Sequence, residues 1–399
     1  MSLNVSRRFF VKDVKLKNNG KSMRILLLAL IALFSFSCQA HARHESLNNR
    51  INELMKESEA IGVSVIAVKG NRICYQESFG YNPDYNDTTK KVPIKRNDVF
   101  RIASISKTFV ATAIMQLVEK GQINLDDDIN KYLSFKVRNP RYPDVPITVR
   151  MLLCHRSSIT DNQYGKYRNR LDMFKQKDIK DIMPFFEEYK PGAKYKYSNY
   201  GFNLLGAIIE NVTQTRFDTY IEKNILKPLR IKGSYNVSKI DNKRFVWAYD
   251  YDQQKEKYKK SPNMYKSFEN EMDDYILGES TAIFSPCGGM KLSVPDLAKY
   301  MLMHMNYGKH KRTRILTRES EELLWKTVSN KYGLGFMHSE YSLTGIDLIG
   351  HQGGAYGIHS AMFFNPKDKF GFIVICNGCN SGQTLGKKIT KELYDYFIQ

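Results

Sequence analysis

Phe100-Arg101-Ile102-Ala103-Ser104-Ile105-Ser106-Lys107-Thr108-Phe109 is the stretch on which the reading of this chain turns. After Ser104 the apolar residues Phe109, Ala113, Ile114 and Leu117 recur at helical spacing, and Gly121 closes the pattern where a C-cap is expected. The spacing predicts a helix with Ser104 at or near its N-terminus and with Lys107 on the same face of the first turn. A serine hydroxyl is a poor nucleophile at neutral pH, so it needs a neighbour to take its proton and donors to hold an oxyanion. Lys107 can supply the first, provided burial or nearby positive charge lowers its pKa from roughly 10.4. The free N–H groups of a helix start can supply the second. Ser-x-x-Lys occurs once in the chain, but so short a pattern carries little weight by itself.

Upstream, residues 47–57 place Leu47, Ile51, Leu54 and Met55 on one helical face. Two β-rich runs, 62–68 and 72–79, flank Lys69-Gly70-Asn71 and read as an antiparallel hairpin, followed by a polar loop over 82–98. Downstream, Leu152 and Leu153, residues 178–189 and residues 204–211 read as helices between polar loops. Residues 240–280, rich in Asp, Lys, Tyr and Asn, read as a surface excursion. Ser293-Val294-Pro295-Asp296 is an N-cap that introduces a helix through His304. The tail returns to strands over 343–349, 359–365 and 370–375 and closes as a helix over 382–398. Strands at both ends around a helical insertion predict an α/β (α+β) fold with one antiparallel sheet built from the two termini. The expected division is a leader over 1–42, a sheet lobe from 43–125 plus 281–399, and a mainly helical lobe over 126–280.

The leader itself carries Arg7, Arg8, Lys12, Lys15, Lys17, Lys21 and Arg24 ahead of an apolar run from Ile25 to Phe36, the order of a secretory signal. The run is shorter than the roughly 20 residues a membrane span needs. Ala40-His41-Ala42 offers cleavage after Ala42, while Cys38 offers a lipid acceptor and hence membrane attachment; translation starts at Met1 or Met23. The expectation is an exported protein, periplasmic or membrane-anchored. Of the net charge of +20, seven Lys/Arg less Asp13 put +6 in the leader and leave +14 beyond it. Those basic residues are scattered among Glu and Tyr without helix-turn-helix or zinc-finger spacing, so no nucleic-acid partner is expected. Cys74, Cys154, Cys287, Cys376 and Cys379 are odd in number and mostly in apolar settings, which reads as buried thiols rather than a disulfide framework. No His-Glu-x-x-His run or comparable ligand cluster appears, so neither metal nor cofactor is expected.

Two further segments give Ser104 and Lys107 their meaning. Tyr197-Ser198-Asn199 and His351-Gln352-Gly353 follow in order, and with Ser104 and Lys107 they resemble the three motifs of the penicillin-recognising serine hydrolases. The resemblance is to the branch of class C β-lactamases, D-Ala-D-Ala carboxypeptidases and esterases. It covers about residues 45 to 395 and includes Pro191-Gly192, Tyr332-Gly333-Leu334-Gly335-Phe336 and Gly350-His351-Gln352-Gly353-Gly354. Tyr167-Arg168-Asn169, Lys331-Tyr332-Gly333 and Lys369-Phe370-Gly371 also spell such motifs, but only Tyr197 follows the Pro-Gly approach and only His351 ends an apolar strand with two glycines after it.

The resemblance implies a β-lactamase/transpeptidase-like fold and a Ser104 acyl-enzyme, with Lys107 and Tyr197 sharing the proton relay. It implies that Asn199 binds the substrate's amide side chain, that His351 and Gly353 line the substrate, and that the N–H groups of Ser104 and Gly354 form the oxyanion hole. Substrates would be D-amino-acid peptides, β-lactams or esters, with peptidoglycan peptides among them; a non-catalytic sensor of such peptides or of penicillin is the rival reading. His351 stands where many β-lactamases of this branch carry Lys, which counts against strong β-lactamase activity. A protonated His351 would attract a substrate carboxylate, so hydrolysis of such substrates is expected to vary with pH over roughly 6 to 7. Ser158 stands where the family has Gly, and His155 is expected to be structural.

Overall fold

The computed structural model describes residues 44–83, 90–167 and 170–399. The leader, with Met23, Cys38 and Ala42, lies outside the described residues.

Helix α1 (Glu45–Glu57) precedes a hairpin of β1 (Gly62–Lys69) and β2 (Arg72–Pro83), with a short β3 (Lys91–Pro93) beside it. Next come β4 (Val99–Arg101), which leads to helix α2 (Ser106–Glu119), and α3 (Asn199–Thr213). β5 (Gly233–Ser234) and β6 (Lys291–Ser293) join β4 in a small sheet ordered β4-β6-β5. Helix α4 (Val294–Met305), strands β7 (Met337–Ser339), β8 (Leu348–Ala355), β9 (Ile358–Asn365) and β10 (Phe370–Cys376), and helix α5 (Gln383–Phe397) complete the chain. The seven-stranded antiparallel sheet runs β7-β8-β9-β10-β1-β2-β3, so β10 lies against β1 and the two ends of the chain share one sheet, as expected.

β1 and β10 are apolar at nearly every position because both of their faces are buried. Successive residues of a strand point to opposite faces. Phe370 and Phe372 therefore meet Tyr394 of α5 on one side, while Gly371 faces Met301 of α4 on the other. Ser293 caps α4 by accepting the Asp296 N–H, and Pro295 occupies the first turn where its missing N–H costs nothing. A continuous apolar cluster joins Ile66 and Ile373 of the sheet to Phe109 of α2 and Leu205 of α3.

Three elements differ from the sequence reading. The helix expected over 178–189 is a single turn, Ile179–Ile182, passing into a 3-10 turn at Met183–Phe185 with Pro184 inside it. Proline cannot donate to the helix ladder and clashes with the preceding turn, which stops the helix there. The strand expected over 343–349 begins only at Leu348, because Tyr341, Ser342 and Gly345 take positive φ and make a turn. Residues 240–280 are more ordered than a surface excursion: they hold the hairpin Tyr249–Asp252/Lys257–Lys260, and Met264, Phe268 and Met272 line a cavity that Ser104 also lines. All five described cysteines are free, and four are buried, with Cys376 ending β10.

Candidate active site

Ser104 lies in a 3-10 turn, Ala103–Ile105, that runs directly into α2. The turn is entered through Ala103 at φ 48°, a left-handed conformation. For an L-residue it costs about 1–2 kcal/mol. Surrounding chain holds it there. Ile102 N–H donates to Met290 O at 3.0 Å, Met290 N–H to Ser106 Oγ at 3.0 Å, and Ser360 O–H on β9 to Ile102 O at 2.9 Å.

Two side chains donate to Ser104 Oγ, Lys107 Nζ at 3.2 Å and Tyr197 OH at 2.9 Å. The other N–H groups of Lys107 go to Asn199 Oδ1 at 2.7 Å and Cys287 O at 2.8 Å. An ammonium's three donors thus meet three acceptors. Lys107 is fully buried, and no carboxylate pairs with it among the described residues. Its Nζ stands 4.8 Å from the centroid of the Tyr197 ring.

Asn199 opens α3, whose N-cap is Ser198. The Asp161 carboxylate, from the loop after Cys154, accepts from Ser198 Oγ at 3.1 Å, Asn199 N at 2.7 Å and Asn199 Nδ2 at 2.8 Å. The last bond fixes the amide orientation, with Nδ2 toward Asp161 and Oδ1 toward Lys107. Asn199 therefore ties the lysine to a carboxylate brace, and its remaining Nδ2 hydrogen is what it can offer a substrate. Ser158, in the same loop, takes φ 62°, the region a glycine would occupy without strain, and its Oγ accepts from Asn139 Nδ2 at 3.0 Å. Neither Asp161 nor the Cys287 carbonyl was visible in the sequence. Asp161 belongs to no motif there, and a backbone carbonyl has no residue signature; the Gly288-Gly289 pair was the only hint of tight chain near Cys287.

Gly353 has a steric reason. A Cβ on it would lie 2.8 Å from Ser104 N and 2.8 Å from Ile102 O, so only glycine lets β8 pass this close to the serine turn. Gly354 is exposed and lines the same cavity as Ser104, Tyr197 and Asn199. That cavity has a volume of about 660 Å³.

His351 lies in the middle of β8, not at a strand end, and is buried. Its Nδ1 stands 2.5 Å from Gln352 O, which requires an N–H there, so Nε2 accepts the Tyr332 hydroxyl proton at 2.9 Å. Both ring nitrogens are thus engaged within the protein. Burial, followed by the nearby Lys107 charge, depresses its pKa to about 3. The expected titration over roughly pH 6 to 7 is corrected accordingly: His351 is neutral throughout that range because protonation would strand a second cation beside Lys107 out of water. His155 is also buried; it accepts the Ser198 N–H on Nδ1 at 3.1 Å, and burial holds it well below the usual imidazole range.

These two imidazoles set a dependence of stability on pH. In the unfolded chain they protonate near pH 6.5, roughly the free value, whereas folded His351 waits until about pH 3. The unfolded state therefore binds protons first as pH falls. Stability is full above about pH 6.5 and declines below it, by up to about 1.4 kcal/mol per pH unit for each buried imidazole. Urea unfolding between pH 7 and pH 5 is expected to show this decline and a shallower one in His351→Gln. Equal slopes in the two proteins would show that His351 is not the group responsible.

Comparison with known proteins places this arrangement. A family model described as Beta-lactamase matches residues 47–392. Protein flp of Staphylococcus aureus strain N315 is 25% identical over 338 residues, covering 84% of this chain, which spans 63% of that relative's length. A penicillin-binding protein homologue from Pyrococcus abyssi superposes with a TM-score of 0.67 at 26% identity, covering 88% of this chain and 76% of that one. A D-stereospecific amidohydrolase from Streptomyces superposes with a TM-score of 0.65 at 22% identity, covering 88% and 98%. With a family model that spans nearly all of the described residues and a fold shared with those structures, the chain belongs to the beta-lactamase family.

Proposed function

We propose that this chain is a serine hydrolase that forms an acyl-enzyme on Ser104 and acts on D-amino-acid peptides, amides or esters, peptidoglycan peptides among them. One observation carries the reading: Ser104 Oγ, on the wall of the cavity, receives hydrogen bonds from both Lys107 and Tyr197. In the reacting form the Tyr197–Lys107 pair holds one proton fewer than in this fully bonded arrangement, so Oγ attacks the substrate carbonyl carbon while its proton passes into the vacant place in the pair. That proton then leaves with the departing amine or alcohol, and a water repeats the sequence to release the acid and restore Ser104. The N–H groups of Ser104 and Gly354 are assigned to the oxyanion. A neutral His351 with both nitrogens occupied brings no cation to the third motif, which ranks D-amino-acid amides and esters above β-lactams. The amidohydrolase activity named for the Streptomyces structure agrees with this order. The leader supports export, with the protein either released after Ala42 or held by lipid on Cys38.

Intact-mass measurement after treatment with a fluorophosphonate or penicillin is expected to show one adduct on Ser104, absent from Ser104→Ala. A panel of nitrocefin, a D-Ala-D-Ala peptide and a short-chain aryl ester then reads turnover. No adduct with any reagent rejects the enzyme, and a permanent adduct without turnover would point instead to a sensor.

A further inference from the structure

The small sheet carries a pairing that the acyl chemistry does not use. β4 and β6 are antiparallel with Arg101 directly opposite Lys291. Side chains so placed share a face with Cβ atoms about 5 Å apart, and like charges in that relation are destabilising. Lys291 is only 3% exposed, where a charge is costly to hold unless it is paired. Neither cation has a carboxylate partner among the described residues. Arg101 donates to Gly288 O at 2.8 Å, Met264 O at 3.2 Å and Ser285 Oγ at 3.2 Å, and Lys291 donates to Tyr235 O at 2.5 Å. A guanidinium and an ammonium together have more N–H groups than these, so donors remain in reserve. The carboxylate whose field reaches Lys291 is that of Asp218, and Arg216 already grips it at 2.6 and 3.0 Å. Burial pushes the Lys291 ammonium well below its ordinary range, and the Arg101 charge pushes the same way.

Both cations line the cavity of Ser104, where the carboxylate on the wall is that of Glu269, an exposed residue. Tyr356 completes the arrangement. Its ring centroid lies 5.0 Å from the Arg101 guanidinium carbon, and its backbone is held at φ 56° in the turn between β8 and β9. Positive φ at Tyr356 and Gly357 is what this two-residue hairpin turn requires, and it fixes where the Tyr356 ring stands. His351 and Tyr332 are not among the residues that line this cavity.

We propose that Arg101 and Lys291 form an anion subsite that selects substrates whose acyl group carries a carboxylate, such as the side chain of an acidic D-amino acid or a dicarboxylic half-ester. A bound carboxylate would supply the counter-ion that the cross-strand pair lacks and take up its spare N–H groups. The proposal rests on Ser104 as the acylated residue, and the experiment keeps the two apart.

p-Nitrophenyl hemisuccinate and p-nitrophenyl butyrate differ in the acyl group by a terminal carboxylate. The hemisuccinate is expected to exceed the butyrate in kcat/KM by about tenfold or more, the size of a charge-assisted hydrogen bond. In Lys291→Met the ratio should fall toward one, and in Lys291→Arg, which keeps the charge, it should persist. A ratio near one in the parent protein, or one that Lys291→Met leaves untouched, overturns the anion subsite while turnover of butyrate still upholds Ser104 chemistry. If neither ester is hydrolysed, the catalytic reading is left to the adduct measurement and the subsite is judged by calorimetric titration of Ser104→Ala with glutarate. Binding that disappears when Lys291→Met is added supports the subsite, and absence of binding overturns it.

Discussion

Lys107→Met is expected to lower kcat/KM for a short-chain aryl ester by about 10⁴-fold, the loss typical of removing one member of a nucleophile-activating set. The geometry explains why so much depends on one nitrogen. Lys107 Nζ touches the nucleophile, is linked through Asn199 to Asp161, and donates to the Cys287 carbonyl on a segment 180 residues away. A buried lysine without a carboxylate partner is a cost to the folded state, and such groups concentrate at functional sites. Met has similar length and fills the space, but it leaves Ser104 Oγ with Tyr197 alone and removes the bond that ties the serine to Asn199 and Cys287. Lys107→Arg should be nearly as inactive, because a planar guanidinium cannot reproduce three divergent bonds from one atom. Steady-state kinetics beside a thermal melt separate chemistry from folding. A Lys107→Met protein within tenfold of the parent would remove Lys107 from the reaction.

The largest expected loss of stability belongs to Glu210→Leu, at about 3–5 kcal/mol. Glu210 is fully buried in the last turn of α3, where a negative charge opposes the helix dipole. It is tolerated there because four donors converge on it: Phe217 N at 2.7 Å, Tyr275 OH at 2.5 Å, Gly278 N at 2.8 Å and Thr281 Oγ at 2.5 Å. Leucine matches the volume but leaves the Phe217 and Gly278 N–H groups and the Thr281 hydroxyl buried without an acceptor. Glu210→Gln keeps one carbonyl acceptor and should cost less than half as much. Because residues 275–281 lead directly into Ile283, Phe284 and Cys287 of the cavity wall, Glu210→Leu should also weaken substrate binding. Urea denaturation measures the stability term; equal midpoints for the parent and Glu210→Leu would show that the four donors find other partners.

Much of this protein follows from local sequence. An unbroken apolar run over 62–68 closed by Lys69-Gly70-Asn71 specifies a buried strand and its turn. Helical spacing after Ser104 puts Lys107 on the same turn as the serine, and the order of Tyr197, Asn199 and His351 marks the family. Those signals survive in one dimension because residue type, period and turn chemistry act over a few positions.

The tertiary structure decided what depends on burial and on distant partners. Pro184 and the positive-φ turn at 341–345 redrew two elements near the margins of the pattern. Asp161 became the brace of Asn199, and the Cys287 carbonyl became a ligand of Lys107, although neither lies near its partner in sequence. Arg101 and Lys291 became neighbours only because β4 and β6 pair. His351 shows the distinction most clearly: its identity promised a titration near neutral pH, but its protonation is set by the water it has lost, the Tyr332 hydroxyl it accepts and the charge of Lys107. The desolvation and Coulomb terms that fix its pKa arise only when residues far apart in the chain are brought within a few ångströms of one another.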